Sequence, residues 1–310
     1  MESKIVDKKN TTTKRGALGI MSAILTTIAS RPLVLTVKPL LADDKNDSAE
    51  SSYEPILLVD KSVKDLPFLN IEYAPFVKEW ILNGVKDYEE KIKKDPNIVE
   101  LHKKANIIAK KINQKRDLIE KLGLDPKWAD IILGMIYSES TFNLYPKSTP
   151  AVGPCQMEKY AIVEATQILQ KISIKNLTND NPDDNISLGI AYMSQEFKLY
   201  PDLTLAILAY NMGQKSLNEG IYQYMLNVKP DIENQLTLDF KKFNIIATAK
   251  YVKEYGINIW DLWTNKVSKK ALMDTFYKSN NRNYTENLQY VFEVLAASSI
   301  FSHHLSSVNK

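Results

Sequence analysis

The chain has little of several residue types that mark common functional classes. Its 310 residues include one cysteine, Cys155, so no disulfide can form within the chain. The 40 basic and 37 acidic residues nearly balance and no basic tract stands out, which argues against a nucleic-acid partner. The sequence also lacks a phosphate-binding loop and a Gly-x-Ser-x-Gly motif, which argues against nucleotide and serine-hydrolase chemistry.

Histidine is equally scarce. The three histidines are His102, His303 and His304, and neither the adjacent pair nor the distance to His102 matches a zinc-binding spacing. We therefore predict no metal site and no cofactor, with His303 and His304 facing solvent. Cys155 is a very weak candidate nucleophile, because a lone cysteine is most often a small buried hydrophobic residue.

The N-terminal region has no apolar run of the roughly 20 residues that a transmembrane helix needs. Its uncharged apolar stretch, residues 17–30, follows four basic residues, an order typical of a secretory signal. Arg31 and Pro32 interrupt the stretch, but apolar residues continue to Ala42. Residues 1–42 are therefore predicted to be a signal peptide or an uncleaved membrane anchor. No cysteine is present here, which excludes a lipoprotein anchor, and a cytosolic leader with a fortuitous apolar patch is the alternative.

A polar linker and a helical hairpin are predicted to follow. Residues 43–70 begin with a segment rich in Asp, Glu and Ser that has no sustained period. Two apolar stripes at helical spacing then fall within residues 71–124, one stopping at Asp95-Pro96 and the other at Gly123. The stripes are Val77, Ile81, Val85, Tyr88 and Ile92, then Leu101, Ala105, Ile108, Ile112, Ile119 and Leu122. The two helices are expected to pack ahead of a larger domain, with a short partner-binding coiled coil as the alternative.

The rest of the chain also predicts helices. Asp125-Pro126 combines an N-cap acid with proline at the first helical position, so a helix is expected from Pro126 to about Ser138. Further helices are predicted at 158–171, 184–199, 202–212, 214–228, 239–256 and 285–305. No convincing run of alternating strand residues is present, so the fold class is mainly α.

Glu139 is the first candidate functional residue. It ends a helix whose core face is Ile132, Leu133 and Ile136. A carboxyl held against apolar surface, near the negative end of the helix dipole, should have a raised pKa. A carboxylic acid that keeps its proton near neutral pH can protonate a leaving glycosidic oxygen. An exposed glutamate at a helix end, without function, is the alternative.

Short motifs in a fixed order strengthen this candidate. The motifs are Glu139-Ser140-Thr141-Phe142, then Ala151-Val152-Gly153-Pro154-Cys155-Gln156, the helix with Asn185, Gly189 and Tyr192, then Ala209-Tyr210-Asn211-Met212-Gly213, and finally Tyr284, Glu286, Tyr290 and Val291. Together they resemble the lytic transglycosylases with a soluble-transglycosylase-type (SLT) domain, in the superfamily of goose-type lysozyme. The resemblance covers Asp125–Gly213 well and 284–295 moderately.

The resemblance implies a fold and a set of site residues. It implies a lysozyme-like helical domain over residues 125–310, with an insertion around 214–283 that covers or extends the saccharide-binding groove. Glu139 would be the sole catalytic acid and base, while Asn185, Gly189 and Tyr192 would be chiefly structural. The substrate-binding residues implied are Ser140, Gln156, Tyr210, Asn211 and Tyr290. Pro154-Cys155 replaces the family's Leu-Met, and this departure could weaken saccharide binding.

The resemblance also implies an activity. The expected reaction cleaves the bond between N-acetylmuramic acid and N-acetylglucosamine in peptidoglycan and leaves 1,6-anhydromuramyl ends. Lysozyme-like hydrolysis at the same site is one alternative, and a catalytically weak peptidoglycan-binding or scaffold protein is another. The expected partners are glycan strands and envelope or secretion-system proteins, with export to the periplasm or cell envelope. A cytosolic helical protein that acts through protein interactions is the remaining alternative.

Overall fold

The computed structural model describes residues 73–146, 151–200, 202–280 and 286–306. The predicted signal or anchor at 1–42 and the whole polar linker at 43–70 lie outside these residues, and so does Tyr284. Within the described residues all regular structure is helical apart from one isolated bridge between Val152 and Met157. The prediction of a mainly α protein is therefore confirmed.

Thirteen α-helices follow one another in the described residues, with a single 3-10 turn, Pro230–Ile232, before the ninth. None of them is long and apolar enough to cross a membrane. The helices are α1 (Pro75–Lys93), α2 (Ile98–Asn113), α3 (Arg116–Lys121), α4 (Trp128–Ser140), α5 (Lys159–Lys171), α6 (Pro182–Leu199), α7 (Leu203–Met212), α8 (Gln214–Val228), α9 (Glu233–Tyr255), α10 (Ile259–Thr264), α11 (Lys266–Asn280), α12 (Glu286–Phe301) and α13 (His303–Ser306).

Helix α12 is central to the packing, because it contacts α4, α7 and α1. Its closest approach is to α4, where the backbone of Gly134 lies against Ser298. A Cβ atom at Gly134 would sit 2.2 Å from the Ser298 hydroxyl oxygen and 2.2 Å from the Val294 carbonyl oxygen. Only glycine permits this approach. The crossing brings the end of α4, where Glu139 lies, beside the N-terminal half of α12.

The two helices predicted as a hairpin are present, and each packs against later parts of the chain. Val77, Ile81 and Val85 form the buried face of α1, as the stripe predicted. Helix α1 packs on α12, whereas α2 packs on α4 and α13. Their apolar faces are therefore covered within this chain, and the division of the chain into separate domains stays a prediction.

The second predicted helix is interrupted, so the prediction of one continuous helix along its apolar stripe was wrong. Helix α2 ends at Asn113 and α3 begins at Arg116. At the break, the Asn113 amide donates to the Leu305 carbonyl at 3.0 Å and accepts from Arg116 Nε at 2.8 Å. The stripe could not reveal the break, since Ile112 and Ile119 keep their helical spacing across it and both are fully buried.

Other boundaries differ from the sequence prediction by a few residues. Helix α4 starts at Trp128, because the Asp125 carboxylate and carbonyl accept from Lys127 N–H and Trp128 N–H in a preceding turn. Helix α9 begins at Glu233, earlier than predicted, and α10 and α11 were not predicted. Helices α8 to α11 pack mainly on one another, and α9 also reaches α6.

The expectation that the histidines face solvent is wrong. His102, His303 and His304 are all half-buried, and they meet where α13 packs on α2. His102 Nδ1 and His304 Nε2 are 3.0 Å apart, and the His102 ring contacts the buried Phe301 edge-on. Sequence spacing gave no hint of this cluster, because 202 residues separate His102 from His304.

Candidate active site

Glu139 lies at the end of a helix, as predicted, and is the penultimate residue of α4. The helix is buried from Ile131 to Tyr137 and then ends abruptly. Thr141 and Phe142 both adopt the left-handed conformation, at φ 53° and 59°, which reverses the chain. The Phe142 ring turns back into the core and contacts Phe301 edge-on. This sharp turn leaves Glu139 half-buried at the edge of the core.

The partner of Glu139 comes from the distant helix α12. The Tyr290 hydroxyl donates a hydrogen bond to Glu139 Oε1 at 2.6 Å. Burial, and then the Glu139 charge, raise the pKa of Tyr290 well above its usual value. The phenol therefore keeps its proton and stays a donor throughout the physiological pH range. With Oε1 engaged as an acceptor, a neutral Glu139 carries its acidic proton on Oε2.

The segment 151–157 is fixed by Asn185, the fourth residue of α6. Its carboxamide oxygen accepts from Cys155 N–H at 2.9 Å, while its nitrogen donates to the Val152 carbonyl at 2.9 Å. A third bond joins the same nitrogen to Asn179 Oδ1 at 2.7 Å. One buried side chain thus replaces the backbone pairing that an irregular segment lacks. The structural role that the resemblance implied for Asn185 agrees with these contacts.

Cys155 packs against Gly189, which lies one turn beyond Asn185 on α6, and fills the space that a side chain there would take. A Cβ at Gly189 would lie 2.5 Å from the thiol sulfur, so this helix must carry glycine here. The thiol is fully buried, and burial followed by the nearby Glu139 charge raises its pKa. Cys155 is therefore a neutral packing residue rather than a nucleophile. Pro154 is buried as well, so the departure from the family pattern leaves a firmly packed segment.

Tyr210 closes the same segment from helix α7. Its hydroxyl donates to the Cys155 carbonyl at 2.8 Å and lies 3.3 Å from Met157 Sδ. Burial first, then charges that include Glu139, raise the pKa of Tyr210 well above its usual value. Tyr210 therefore holds the 151–157 segment close to the acid. The Tyr192 ring of α6 packs edge-on against it, with centroids 5.5 Å apart.

The other predicted site residues have defined partners too. Ser140 Oγ donates to the Ile136 carbonyl, one turn back along α4, at 3.0 Å. Gln156 adopts a left-handed conformation, and its amide donates to the Gly153 carbonyl at 2.8 Å. Asn211 Oδ1 accepts from Asn287 of α12 at 2.7 Å. Contact of Ser140, Gln156 and Asn211 with a saccharide stays a prediction.

A second carboxyl near the tyrosines was not anticipated. Glu196 lies one turn beyond Tyr192 on α6 and is fully buried. Gln214 donates to its Oε1 at 2.8 Å, and its Oε2 is a buried atom with no hydrogen-bond partner in the described residues. Burial raises the pKa of Glu196 to about 8, so this carboxyl is largely protonated at neutral pH. Its enclosure keeps it away from any polymeric substrate.

Two of these residues could not have been found from sequence. Asn287 is an ordinary polar residue of a helix until α12 packs on α7. Glu196 has the polar neighbours Gln195 and Lys198 and looks like part of a solvated face. Tyr290, by contrast, was among the site residues that the resemblance implied, and its hydroxyl lies within hydrogen-bond distance of Glu139.

A comparison with protein families identifies the region that carries these residues. Residues 119–227 match the family model of the transglycosylase SLT domain. This match is consistent with a lytic transglycosylase of the lysozyme-like superfamily. Comparisons with curated proteins and with solved structures gave no match. The SLT match includes Glu139, the 151–157 segment and Tyr210, whereas Tyr290 and the histidine pair lie beyond it.

Proposed function

We propose that this protein is a peptidoglycan lytic transglycosylase in which Glu139 is the only catalytic acid and base. The observation that carries the proposal is the hydrogen bond from the Tyr290 hydroxyl to Glu139 Oε1. It orients a half-buried carboxyl at a helix end within an SLT domain. A phenol that keeps its proton also stabilises the carboxylate that forms when Glu139 gives up its own.

The proposed reaction uses one carboxyl twice, first as an acid and then as a base. Glu139 protonates the oxygen between N-acetylmuramic acid and N-acetylglucosamine, and the bond from the muramyl C1 to that oxygen breaks. The muramyl acetamido group stabilises the positive charge that develops at C1. The Glu139 carboxylate then removes the proton from the muramyl 6-hydroxyl, whose oxygen bonds to C1 and closes the 1,6-anhydro ring. Glu139 recovers its proton, and no water is consumed.

The neighbouring carboxyls favour a substrate nucleophile over a second enzyme group. Most glycosidases use two carboxyls, one of them a nucleophile or a base for water. Glu196 is enclosed in the core and Glu158 is exposed at the start of α5. Glu164 is half-buried and accepts from Gln195 at 3.4 Å. The enclosed Glu196 cannot reach a sugar. Glu293, one turn beyond Tyr290 on α12, is half-buried, and burial raises its pKa, which disfavours the charged form that a nucleophile or base needs.

The segment 151–157 supports turnover rather than binding alone. Its Pro154-Cys155 sequence departs from the family pattern, and a loose segment there would weaken saccharide binding. Asn185 and Tyr210 hold the Cys155 backbone from both sides, with contacts of 2.9 and 2.8 Å. The proposed location is the periplasm or cell envelope, where the substrate lies, with residues 1–42 as the export signal or anchor.

The test is digestion of purified peptidoglycan sacculi by the full chain, followed by mass spectrometry of the released muropeptides. Anhydromuramyl products are expected from the wild type and from Glu158→Gln, a matched change at an exposed glutamate. Glu139→Gln should give none, although its amide oxygen can still accept from Tyr290. Products with water-added reducing ends would make the protein a lysozyme. Sedimentation with sacculi and no release would instead indicate a binding protein.

A further inference from the structure

The three histidines form a cluster distinct from the acid site. They are the only histidines among the 310 residues, and all three meet between α2 and α13. Three ring nitrogens, one from each histidine, all lie within 4.8 Å of one another. Nothing in the proposed reaction uses them. Histidine side chains that converge in this way, half-buried and from two distant segments, have the geometry of a ligand set.

The hydrogen bonds set which nitrogens can act as ligands. His303 Nδ1 lies 2.9 Å from the Ile300 carbonyl oxygen, which can only accept, so Nδ1 carries the proton. In the neutral ring Nε2 then holds a lone pair. Metal-binding histidines usually donate their other N–H in this manner, which orients the ring.

The contact between His102 and His304 also fits a shared ion. Their Nδ1 and Nε2 atoms are 3.0 Å apart. Zinc–nitrogen bonds of about 2.0–2.1 Å in a tetrahedron place neighbouring ligand nitrogens about 3.3 Å apart. Only a small displacement of the rings is therefore needed to replace the shared proton by a metal ion.

The charge state favours metal over protons. Burial and the neighbouring His303 lower the pKa of His102, and burial with both neighbours lowers the pKa of His304 to about 4. These two rings are therefore neutral at physiological pH. Neutral imidazole is the form that binds metal, so protons compete weakly.

We propose that His102, His303 and His304 bind one divalent transition-metal ion of the zinc class through three imidazole nitrogens. The ion would tie the C-terminal end of α12 to α2. Phe301, the last residue of α12, contacts both His102 and Phe142, and Phe142 follows the helix end that bears Glu139. The expected role is therefore to stabilise the fold around α12 rather than to take part in cleavage.

The test is titration of the untagged full chain, first stripped with chelator, with Zn²⁺ and with Co²⁺. A polyhistidine tag must be absent, and the fully buried Cys155 offers no competing site. We expect one ion to bind saturably, the imidazole NMR signals of all three histidines to shift, and the Tm to rise by several degrees. Bound Co²⁺ should show the visible absorption of a low-symmetry site.

Single substitutions sharpen the test. His303→Gln and His102→Gln should each weaken Zn²⁺ binding by at least about 10-fold, as loss of a supporting contact alone does in metal sites. In each variant, adding Zn²⁺ should no longer raise the Tm above the value measured in chelator. The proposal is overturned if neither ion binds saturably below millimolar concentration. Binding that is unchanged in both variants would equally overturn it, even if the unliganded cluster proved important for folding.

Discussion

Two glutamates, Glu139 and Glu196, lie near Tyr210, and their surroundings differ in their access to solvent. Glu139 is half-buried at the end of α4, with a protonated phenol on one oxygen. Glu196 is fully enclosed on α6, where the Gln214 amide donates to one of its oxygens. A raised pKa alone would select Glu196. Access to substrate selects Glu139, so exposure and partner geometry, rather than burial, single out the proposed acid.

The largest difference in activity is expected between two single variants that carry the same change, Glu139→Gln and Glu196→Gln. Glu139→Gln removes the only group that can move the proton, so muropeptide release should fall by about 10²–10⁴-fold. Glu196→Gln should release muropeptides at a rate close to wild type, because its side chain cannot touch the glycan. Initial rates on soluble glycan strands would measure both. Equal losses in the two variants would break the comparison.

Tyr290→Phe should have the next largest effect. It removes the hydrogen bond to Glu139 Oε1 and leaves the ring in place. A hydrogen bond to a charged group contributes about 1.5–3 kcal/mol, so kcat/KM should fall by about 10–100-fold. Tyr192→Phe is the matched control, since it removes a tyrosine hydroxyl on the Glu196 side. An unchanged rate in Tyr290→Phe would mean that the phenol does not support the acid.

Gly189→Ala should test the segment that Tyr210 and Asn185 hold near the acid. The new Cβ would overlap the Cys155 thiol, and overpacking of this kind costs about 1–3 kcal/mol. Both the free energy of unfolding, measured by denaturant titration, and the activity should fall. Ser187→Ala on the same helix is the control for a change outside this contact. Full activity in Gly189→Ala would show that the position of the segment is unimportant for cleavage.

Glu196→Gln should change the pH dependence of stability. Because the native pKa is about 8 and the unfolded value about 4.5, the native state binds the proton more tightly. Stability therefore falls as pH rises from about 4.5 to 8, by at most about 1.4 kcal/mol per pH unit from this group. Denaturant titrations at pH 5 and pH 8 should show a smaller fall in the variant. An identical fall in both proteins would mean that Glu196 is ionised in the core.

Sequence reasoning found the parts of the site that lie in short motifs. The helix end at Glu139 was predicted, and Tyr290 was named as a site residue through the resemblance. The structure gives the hydrogen bond between the two side chains, while their roles stay predictions. The enclosure of Glu196 was missed, since α6 is buried on several sides only after α5, α7 and α9 pack around it. The helix break at 114–115 was missed for a related reason. It depends on the Leu305 carbonyl, which is remote in sequence.

The histidine cluster was outside the reach of a sequence pattern. His303 and His304 approach His102 only because α13 folds back onto α2. Motif spacing reveals a candidate metal site most readily when its ligands lie on one short segment, and the three histidines do not. The long segment after Gly213 was likewise predicted only as an insertion. Two of its helices, α10 and α11, were not predicted from the sequence and were found only in the structure.

The most direct test of the account is digestion of sacculi by the wild-type full chain in water labelled with heavy oxygen. The central claim is that Glu139 serves as both acid and base and that the muramyl 6-hydroxyl, not water, attacks C1. The account predicts new muramyl ends that are anhydro in mass and carry no label. New reducing ends with one labelled oxygen each would show that water is the nucleophile and would contradict the account.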